Sequence, residues 1–166
     1  MQQHGVAAEI DTQVYRSVVE IFQRSTTEFS SQKAFSSLGH CLSYADLQRL
    51  ARQFASYLQQ HTKLQPGDRV AVQLPNLIQY PVVMHGILLA GMVLVNTNPL
   101  YTSRELKHQL QDSGAKAIVV LANIADVLQE VVADTDIEHV IVTELADLHP
   151  GPKRWLINSA AKYIKG

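Results

Sequence analysis

Short runs of aliphatic, largely β-branched residues alternate with helical patterns along most of this chain, and this alternation limits the folds that it can adopt. The runs lie at residues 69–74, 92–95, 117–121 and 139–143. A strand followed by a helix and another strand forms a βαβ unit, in which the strands are parallel and the crossover is right-handed. The pattern therefore predicts an α/β fold with a mostly parallel, doubly wound sheet and helices on both faces.

Capping signals place two of the helices. Ser43 and Asp46 form the Ser-x-x-acid pattern of a capping box ahead of an apolar helical repeat, and Thr102 and Glu105 form a second one. The helix after Thr102 is expected to end at Gly114, since glycine adopts the left-handed conformation that closes many helices.

Three further predictions concern the neighbouring elements. The spacing of apolar residues predicts an amino-terminal helix over 11–29, with Asp11 or Thr12 as its cap. Another helix should end at Gly91. The run 92–95 is wholly apolar, which is typical of a strand covered on both faces.

Composition excludes several classes of protein. Of 166 residues, 46% are hydrophobic and 17% charged, which excludes a disordered chain. The formal net charge of −1 gives no support to a nucleic-acid partner. Cys41 is the only cysteine, and residues 1–4 do not begin a basic, then apolar, leader, so a cytoplasmic protein is predicted. The longest apolar run, 82–95, is shorter than the ~20 residues of a membrane span.

Motifs that could carry chemistry are few. Asparagines follow three strands, within 74–76, 96–99 and 122–123, but turn and cap formation is the favoured role for asparagine there. Gly86 and Gly91 have phosphate-loop spacing without the lysine and hydroxyl that must follow, so the match is false. The seven histidines form no pair at metal-ligand spacing, and a zinc site is not predicted.

One histidine lies within an apolar helical pattern. We interpret His85 as a packing residue whose ring is satisfied by a backbone carbonyl, because catalysis needs a positioned partner that the sequence does not show.

The carboxyl-terminal segment, 151–166, differs from the rest because it carries four cations and no acid. Wound as a helix, it is predicted to be amphipathic, with Leu156, Ile157 and Ala160 on its apolar face. One hypothesis is contact with an anionic membrane surface. The alternative, which we favour, is that the apolar face packs on protein, either on these residues or on the remainder of the chain. The candidate membrane contacts are Lys153, Arg154, Trp155, Lys162 and Lys165.

Several segments resemble, in order and spacing, the amino-terminal region of AMP-forming adenylating enzymes. They are Leu-Ser-Tyr-Ala-Asp-Leu at 42–47, Gly-Asp-Arg-Val-Ala-Val at 67–72, Leu-Pro-Asn at 74–76, and the stretch 88–99 ending in Val-Asn-Thr-Asn-Pro. The stretch 98–115 is most similar to the bacterial long-chain fatty-acid–CoA ligase branch of that family. The similarity covers nearly the whole chain.

The resemblance implies a full-length enzyme that uses ATP, coenzyme A and magnesium to convert a long-chain fatty acid to its CoA ester through an acyl-adenylate. In that family the phosphate loop, the adenine-binding segments and the lysine-bearing carboxyl domain come later in the chain. We therefore assign no catalytic, cofactor-binding or metal-binding residue here, and predict an inactive scaffold fragment that forms an incomplete part of a larger amino-terminal domain. Its organisation is predicted as a flexible terminus over 1–10, an α/β part over 11–150 and the basic helical tail over 151–166.

The implied partners are a long-chain fatty acid and the remainder of the ligase chain, with a peripheral contact at the inner membrane and a homodimer as further hypotheses. Two alternative functions stay open. One is a stand-alone α/β module that binds an acyl chain or a nucleotide. The other is an interaction domain that self-associates through an exposed sheet edge, for which the strand around Val140 is the candidate.

Overall fold

The computed structural model describes residues 14–164. The helices and strands, in chain order, are α1 (Val18–Glu28), β1 (Lys33–Ser37), β2 (His40–Ser43), α2 (Tyr44–His61), β3 (Arg69–Gln73), α3 (Gln79–Leu89), β4 (Val93–Asn96), α4 (Ser103–Ser113), β5 (Ala117–Leu121), α5 (Ala125–Gln129), β6 (His139–Thr143) and α6 (Gly151–Ile164). Short 3-10 turns precede and follow α5. The predicted terminal segment 1–10 lies outside the described residues.

Four strands form a parallel sheet in the order β4-β3-β5-β6. Val70 of β3 pairs with Leu94 of β4 on one side and with Ala117 of β5 on the other. Ile118 of β5 then pairs with Val140 of β6. The predicted parallel, doubly wound sheet is confirmed.

The sheet has a hydrophobic core on each face, because side chains alternate between the faces along a strand. Val70 and Val72 of β3 face α2 and α3, whereas Ala71 faces α4 and α5. Leu106 and Leu110 of α4 are fully buried in the second core. Burying a side chain of this size is worth ~1.5–3 kcal/mol, so the two cores hold helices on both faces, as predicted.

Both predicted capping boxes are present. The Ser43 side chain accepts from the Asp46 amide, and the Asp46 carboxylate accepts from the Ser43 amide. Thr102 and Glu105 make the same exchange at the start of α4. Gly114 closes α4 with a φ of 58°, as the sequence predicted.

The start predicted for the amino-terminal helix is wrong. α1 begins at Val18, and its cap is Ser17, whose hydroxyl accepts from the Glu20 amide. Residues 14–16 are not helical, and Asp11 and Thr12 lie outside the described residues. Serine is a preferred cap, and the Glu20 carboxylate strengthens this helix start by accepting from the Arg16 amide.

The segment between α1 and α2 is an antiparallel hairpin that the sequence analysis did not predict. β1 and β2 are joined by Leu38 and Gly39, which have φ values of 49° and 71°. Positive φ at both positions is what a tight two-residue hairpin turn requires. The hairpin lies outside the parallel sheet.

The prediction that 92–95 is covered on both faces is also wrong. β4 is an edge strand of the described sheet, and Val93 is 46% exposed. β6 forms the opposite edge, where Val140 and Val142 are 47% and 53% exposed. Exposed apolar surface at β6 was expected, and its presence follows from the single neighbouring strand.

Candidate functional site

The carboxyl edge of the parallel sheet is the place to look for a ligand site. From β3 the chain crosses to β4 on one side and then returns to β5 on the other side of β3. In doubly wound sheets, ligands bind beyond the strand ends at such a switch point. The loops over 74–78 and 122–124 flank it.

The loop after β4 folds back over the end of β3. The Thr97 amide donates to the Val72 carbonyl at 3.1 Å. The fully buried Gln73 donates through Nε2 to the Asn98 carbonyl at 3.4 Å. Asn98 in turn accepts from the Leu100 amide at 3.0 Å, which closes the turn. These hydrogen bonds give the loop a structural role.

Two other asparagines at this edge, Asn96 and Asn123, are also engaged. Tyr80 donates its phenolic hydrogen to Asn96 Oδ1 at 2.6 Å, and Gln109 Nε2 donates to the Asn96 carbonyl at 2.9 Å. Asn123 has an interaction partner as well. Asn98 forms a turn, as interpreted from the sequence, whereas Asn96 is the last residue of β4 and contacts Tyr80 and Gln109 instead.

A groove lies beside the β3–α3 loop, with a volume of about 260 Å³. It is lined by Phe35, Ser36 and Ser37 of β1 and by Asn76, Leu77, Ile78, Tyr80 and Pro81. The lining is chiefly apolar, and its one titratable group, the Tyr80 phenol, already donates to Asn96. The groove therefore offers an apolar surface with two serine residues and neither a carboxylate nor a histidine in its lining.

Gly86 and Gly91 do not form a phosphate loop. Gly86 lies within α3 and Gly91 follows its last turn, with a φ of 78°. The amide of Gly91 donates to the Leu88 carbonyl at 3.1 Å, so it serves the end of the helix. The prediction that this match is false and that α3 ends here is confirmed.

His85 is a packing residue, as predicted. Its Nδ1 donates to the Pro81 carbonyl at 2.7 Å, and its ring stacks on Phe22 with centroids 4.0 Å apart. Burial lowers the pKa of His85, and the bond to Pro81 acts in the opposite direction. The ring is thus kept neutral inside a helix interface.

No group of three or more histidine, cysteine, aspartate or glutamate side chains within residues 14–164 is placed to hold a metal ion. Cys41 is an exposed, free thiol.

Polar contacts bind α6 to the rest of the molecule. Lys153 Nζ donates to the Gly39 carbonyl at 3.2 Å, and Arg154 pairs with Asp147 at 3.2 Å. Asn158 is buried; its Oδ1 accepts from the Ala146 amide at 2.8 Å.

Several apolar residues of α6 face outward. Trp155 is 72% exposed and Leu156 is 62% exposed, and Ala160 is exposed too. Of the predicted apolar face, Ile157 is half-buried, whereas Leu156 and Ala160 are exposed and Asn158 takes the inward position. Packing of this face on the remainder of the ligase chain stays a prediction. Among the other candidate membrane contacts, Lys162 lies within α6 and Lys165 lies outside the described residues.

No helix in the stretch 14–164 combines the length and apolar character needed to cross a membrane.

The architecture is that of an α/β scaffold in which internal hydrogen bonds hold the loop after β4 over the end of β3. The family model for AMP-binding enzymes matches residues 22–165, and the chain belongs to that family. A long-chain-fatty-acid–CoA ligase of Salmonella typhimurium is 48% identical over 160 residues, or 96% of this chain. The ligase of the same name from Haemophilus influenzae is 47% identical over 156 residues, or 94% of this chain.

Solved structures show the same fold. A crystal structure of a long-chain-fatty-acid–CoA ligase from Archaeoglobus fulgidus superimposes with a TM-score of 0.71 at 24% identity, over 76% of this chain and 27% of that one. The chain spans 28% of the length of the Salmonella and Haemophilus relatives, and the matched part is their amino-terminal portion. It is therefore one part of the architecture that these ligases have.

Two features escaped the sequence analysis. Three residues of β1 line the groove, and β1 has no alternating apolar pattern by which the sequence would reveal it. A cluster of His40, His149 and Lys153 joins the hairpin turn to α6, although 109 positions separate the two histidines. Neither contact has a local signal, because both depend on tertiary packing between distant segments.

Proposed function

We propose that this chain is the amino-terminal scaffold of a long-chain fatty-acid–CoA ligase. The observation that carries the proposal is the 48% identity to such a ligase across 96% of the chain. Identity spread over the whole length, together with the parallel sheet and its two cores, supports a shared architecture rather than a shared motif.

In the whole enzyme, the fatty acid would react with ATP to give an acyl-adenylate and pyrophosphate, and coenzyme A would then displace AMP. Magnesium would neutralise phosphate charge. The residues described here do not fit these groups: Gly86 and Gly91 serve helix packing and termination, and the amides of Gln73, Asn96 and Asn98 make internal hydrogen bonds. We assign ATP, coenzyme A and magnesium to other parts of the ligase chain, and a cytoplasmic location in which the free thiol of Cys41 is stable.

The proposal is tested by reading the source frame past Gly166 and assaying its whole product. We expect a continuation that contains a Ser/Thr/Gly-rich phosphate loop, and formation of palmitoyl-CoA or oleoyl-CoA that requires ATP, coenzyme A and magnesium. A whole product without acyl-CoA synthesis from either fatty acid would overturn the proposal and favour the stand-alone binding module. Thermal stabilisation of the chain by palmitate would then be the next measurement.

We propose, second, that α6 contacts an anionic membrane surface. Trp155 and Leu156 project outward, and the segment 151–166 carries four cations without an acid. Aromatic and aliphatic side chains beside lysines suit the headgroup region of a bilayer. Arg154 can keep its pairing with Asp147 and still lie near lipid phosphates, because its side chain is 54% exposed.

Co-sedimentation with phosphatidylglycerol vesicles tests this contact. The double variant W155S/L156S should lose binding, whereas L100S, which removes an 87% exposed leucine elsewhere, should retain it. Vesicles of phosphatidylcholine alone should bind less. Equal binding of the two variants would refute a contact through α6.

A third proposal is self-association through β6, supported by the exposed Val140 and Val142 on an edge strand. Sedimentation equilibrium should show concentration-dependent mass in the wild-type chain and a monomer in the V140K/V142K variant. A monomeric wild type at all concentrations would exclude it.

A further inference from the structure

The turn of the β1–β2 hairpin meets the start of α6. Lys153 Nζ donates to the Gly39 carbonyl at 3.2 Å. A Cβ added at Gly39 would lie 3.1 Å from the same nitrogen, so the approach leaves little space. The hairpin is thereby joined to a helix that lies more than a hundred residues later in the chain.

His149 lies at the centre of this contact, two residues before α6, and is only 6% exposed. Its ring lies 5.1 Å from that of His40, centroid to centroid, at an angle of 45°. Neither of its ring nitrogens has a hydrogen-bond partner at standard geometry within the described residues. A buried imidazole is costly to protonate, because burial removes its charged form from water.

The surroundings of His149 also oppose a positive charge. Burial lowers the pKa of His149 most, and the charges of His40 and Lys153 lower it further. The carbonyls of Ser37 and Leu38 act in the opposite direction. The nearest acid in sequence, Asp147, is occupied by Arg154 and by the Glu144 amide.

We propose that His149 is an acid-sensitive latch that holds the hairpin turn against the start of α6 while its ring is neutral, and releases it when the ring is protonated. The device is independent of the ligase proposal, because it uses only contacts within this chain. It would make the position of α6, and of its exposed Trp155, depend on pH.

The direction of the pH dependence follows from the linkage between proton binding to His149 and release of the hairpin turn. The pKa of His149 is lower in the latched state than the ordinary value of 6.5, so the released state binds the proton more tightly. Latching is complete above pH 6.5 and weakens as the pH falls below it. His40 and Lys153 strengthen this pH dependence, because their positive charges add to the cost of protonating His149.

One tryptophan and one cysteine make the latch measurable in the intact chain. Trp155 lies on α6 and the exposed Cys41 follows His40 in β2, so an acceptor dye on Cys41 reports the distance between the two elements. We expect the efficiency of energy transfer from Trp155 to an AEDANS group on Cys41 to fall reversibly between pH 7.5 and pH 5.5. Far-UV circular dichroism should stay constant over this range.

Three histidine variants decide the outcome. H149Q should show no pH-dependent loss of transfer, and H40Q a smaller loss than the wild type, because one source of repulsion is gone. H108Q, an exposed histidine on α4, should behave as the wild type. Constant transfer in the wild type, or a loss in H40Q as large as in the wild type, would overturn the proposal; if H149Q does not fold, H40Q alone decides.

Discussion

Gly86 of α3 lies so close to Phe54 of α2 that a Cβ added at Gly86 would be 2.7 Å from Cδ1 of the phenylalanine ring. The same Cβ would be 3.0 Å from the Ala51 carbonyl oxygen. Real Cβ atoms do not approach other atoms at 2.7 Å, so the spacing of α2 and α3 depends on the missing side chain. These helices cover one face of the sheet, and Gly86 therefore determines how closely that layer packs.

Gly86→Ala should destabilise the fold. Alanine gains up to ~1 kcal/mol of helix propensity over glycine, but overpacking costs ~1–3 kcal/mol and part of the obstruction is backbone that cannot rotate away. We expect a net loss of about 1 kcal/mol in the free energy of unfolding, measured by urea titration at 222 nm. Gly151→Ala is the matched control, since a Cβ there meets nothing within 4 Å. Equal stability of the two variants would show that α2 and α3 can move apart at little cost.

The stability of the chain should depend on pH through His85. Because burial lowers the pKa of His85 below 6.5 in the folded state, the unfolded state binds the proton more tightly. The contribution of the neutral His85 ring to the free energy of unfolding is complete above pH 6.5 and is lost as the pH falls below that value. Urea titrations at pH 7.5 and 5.5 should show a smaller loss of stability in H85Q than in the wild type, with H108Q matching the wild type. An undiminished loss in H85Q would contradict a buried, neutral imidazole.

Asn158 should be the anchor of α6. Its Oδ1 accepts from the Ala146 amide, and its Nδ2 donates to Glu144 Oε2 at 2.7 Å. Asn158→Ala leaves the fully buried Ala146 amide without this acceptor, at a cost of ~1–3 kcal/mol. Hydrogen exchange at the Ala146 amide should accelerate in this variant and stay near the wild-type rate in S159A. Unchanged protection of that amide in N158A would locate the attachment of α6 elsewhere.

The features that could be predicted from sequence are those that local hydrogen bonding determines. The capping boxes at Ser43 and Thr102 and the helix end at Gly114 were predicted to the residue, because each uses hydrogen bonds between positions three or four apart. The parallel sheet followed from the order of strands and helices, since short crossovers allow few arrangements.

What could not be predicted depends on contacts between distant segments. A wholly apolar run does not reveal that β4 is an edge strand, because strand order is decided by the crossovers. The amphipathic pattern of α6 predicts an inward apolar face. The inward position is instead taken by the polar Asn158, which bonds to the buried Ala146 amide and to the Glu144 carboxylate. The cluster around His149 joins residues far apart in sequence, and no spacing rule identifies it.

A scaffold role for this chain implies that the nucleotide chemistry of the fatty-acid–CoA ligase lies in other parts of the protein. The decisive experiment is ATP–pyrophosphate exchange with palmitate or oleate, measured on the purified 166-residue chain beside the product of the whole reading frame. We expect exchange by the whole product and none by the 166-residue chain above a heat-treated control. Exchange by the 166-residue chain alone would refute the scaffold role, because it would place a working adenylation site among these residues.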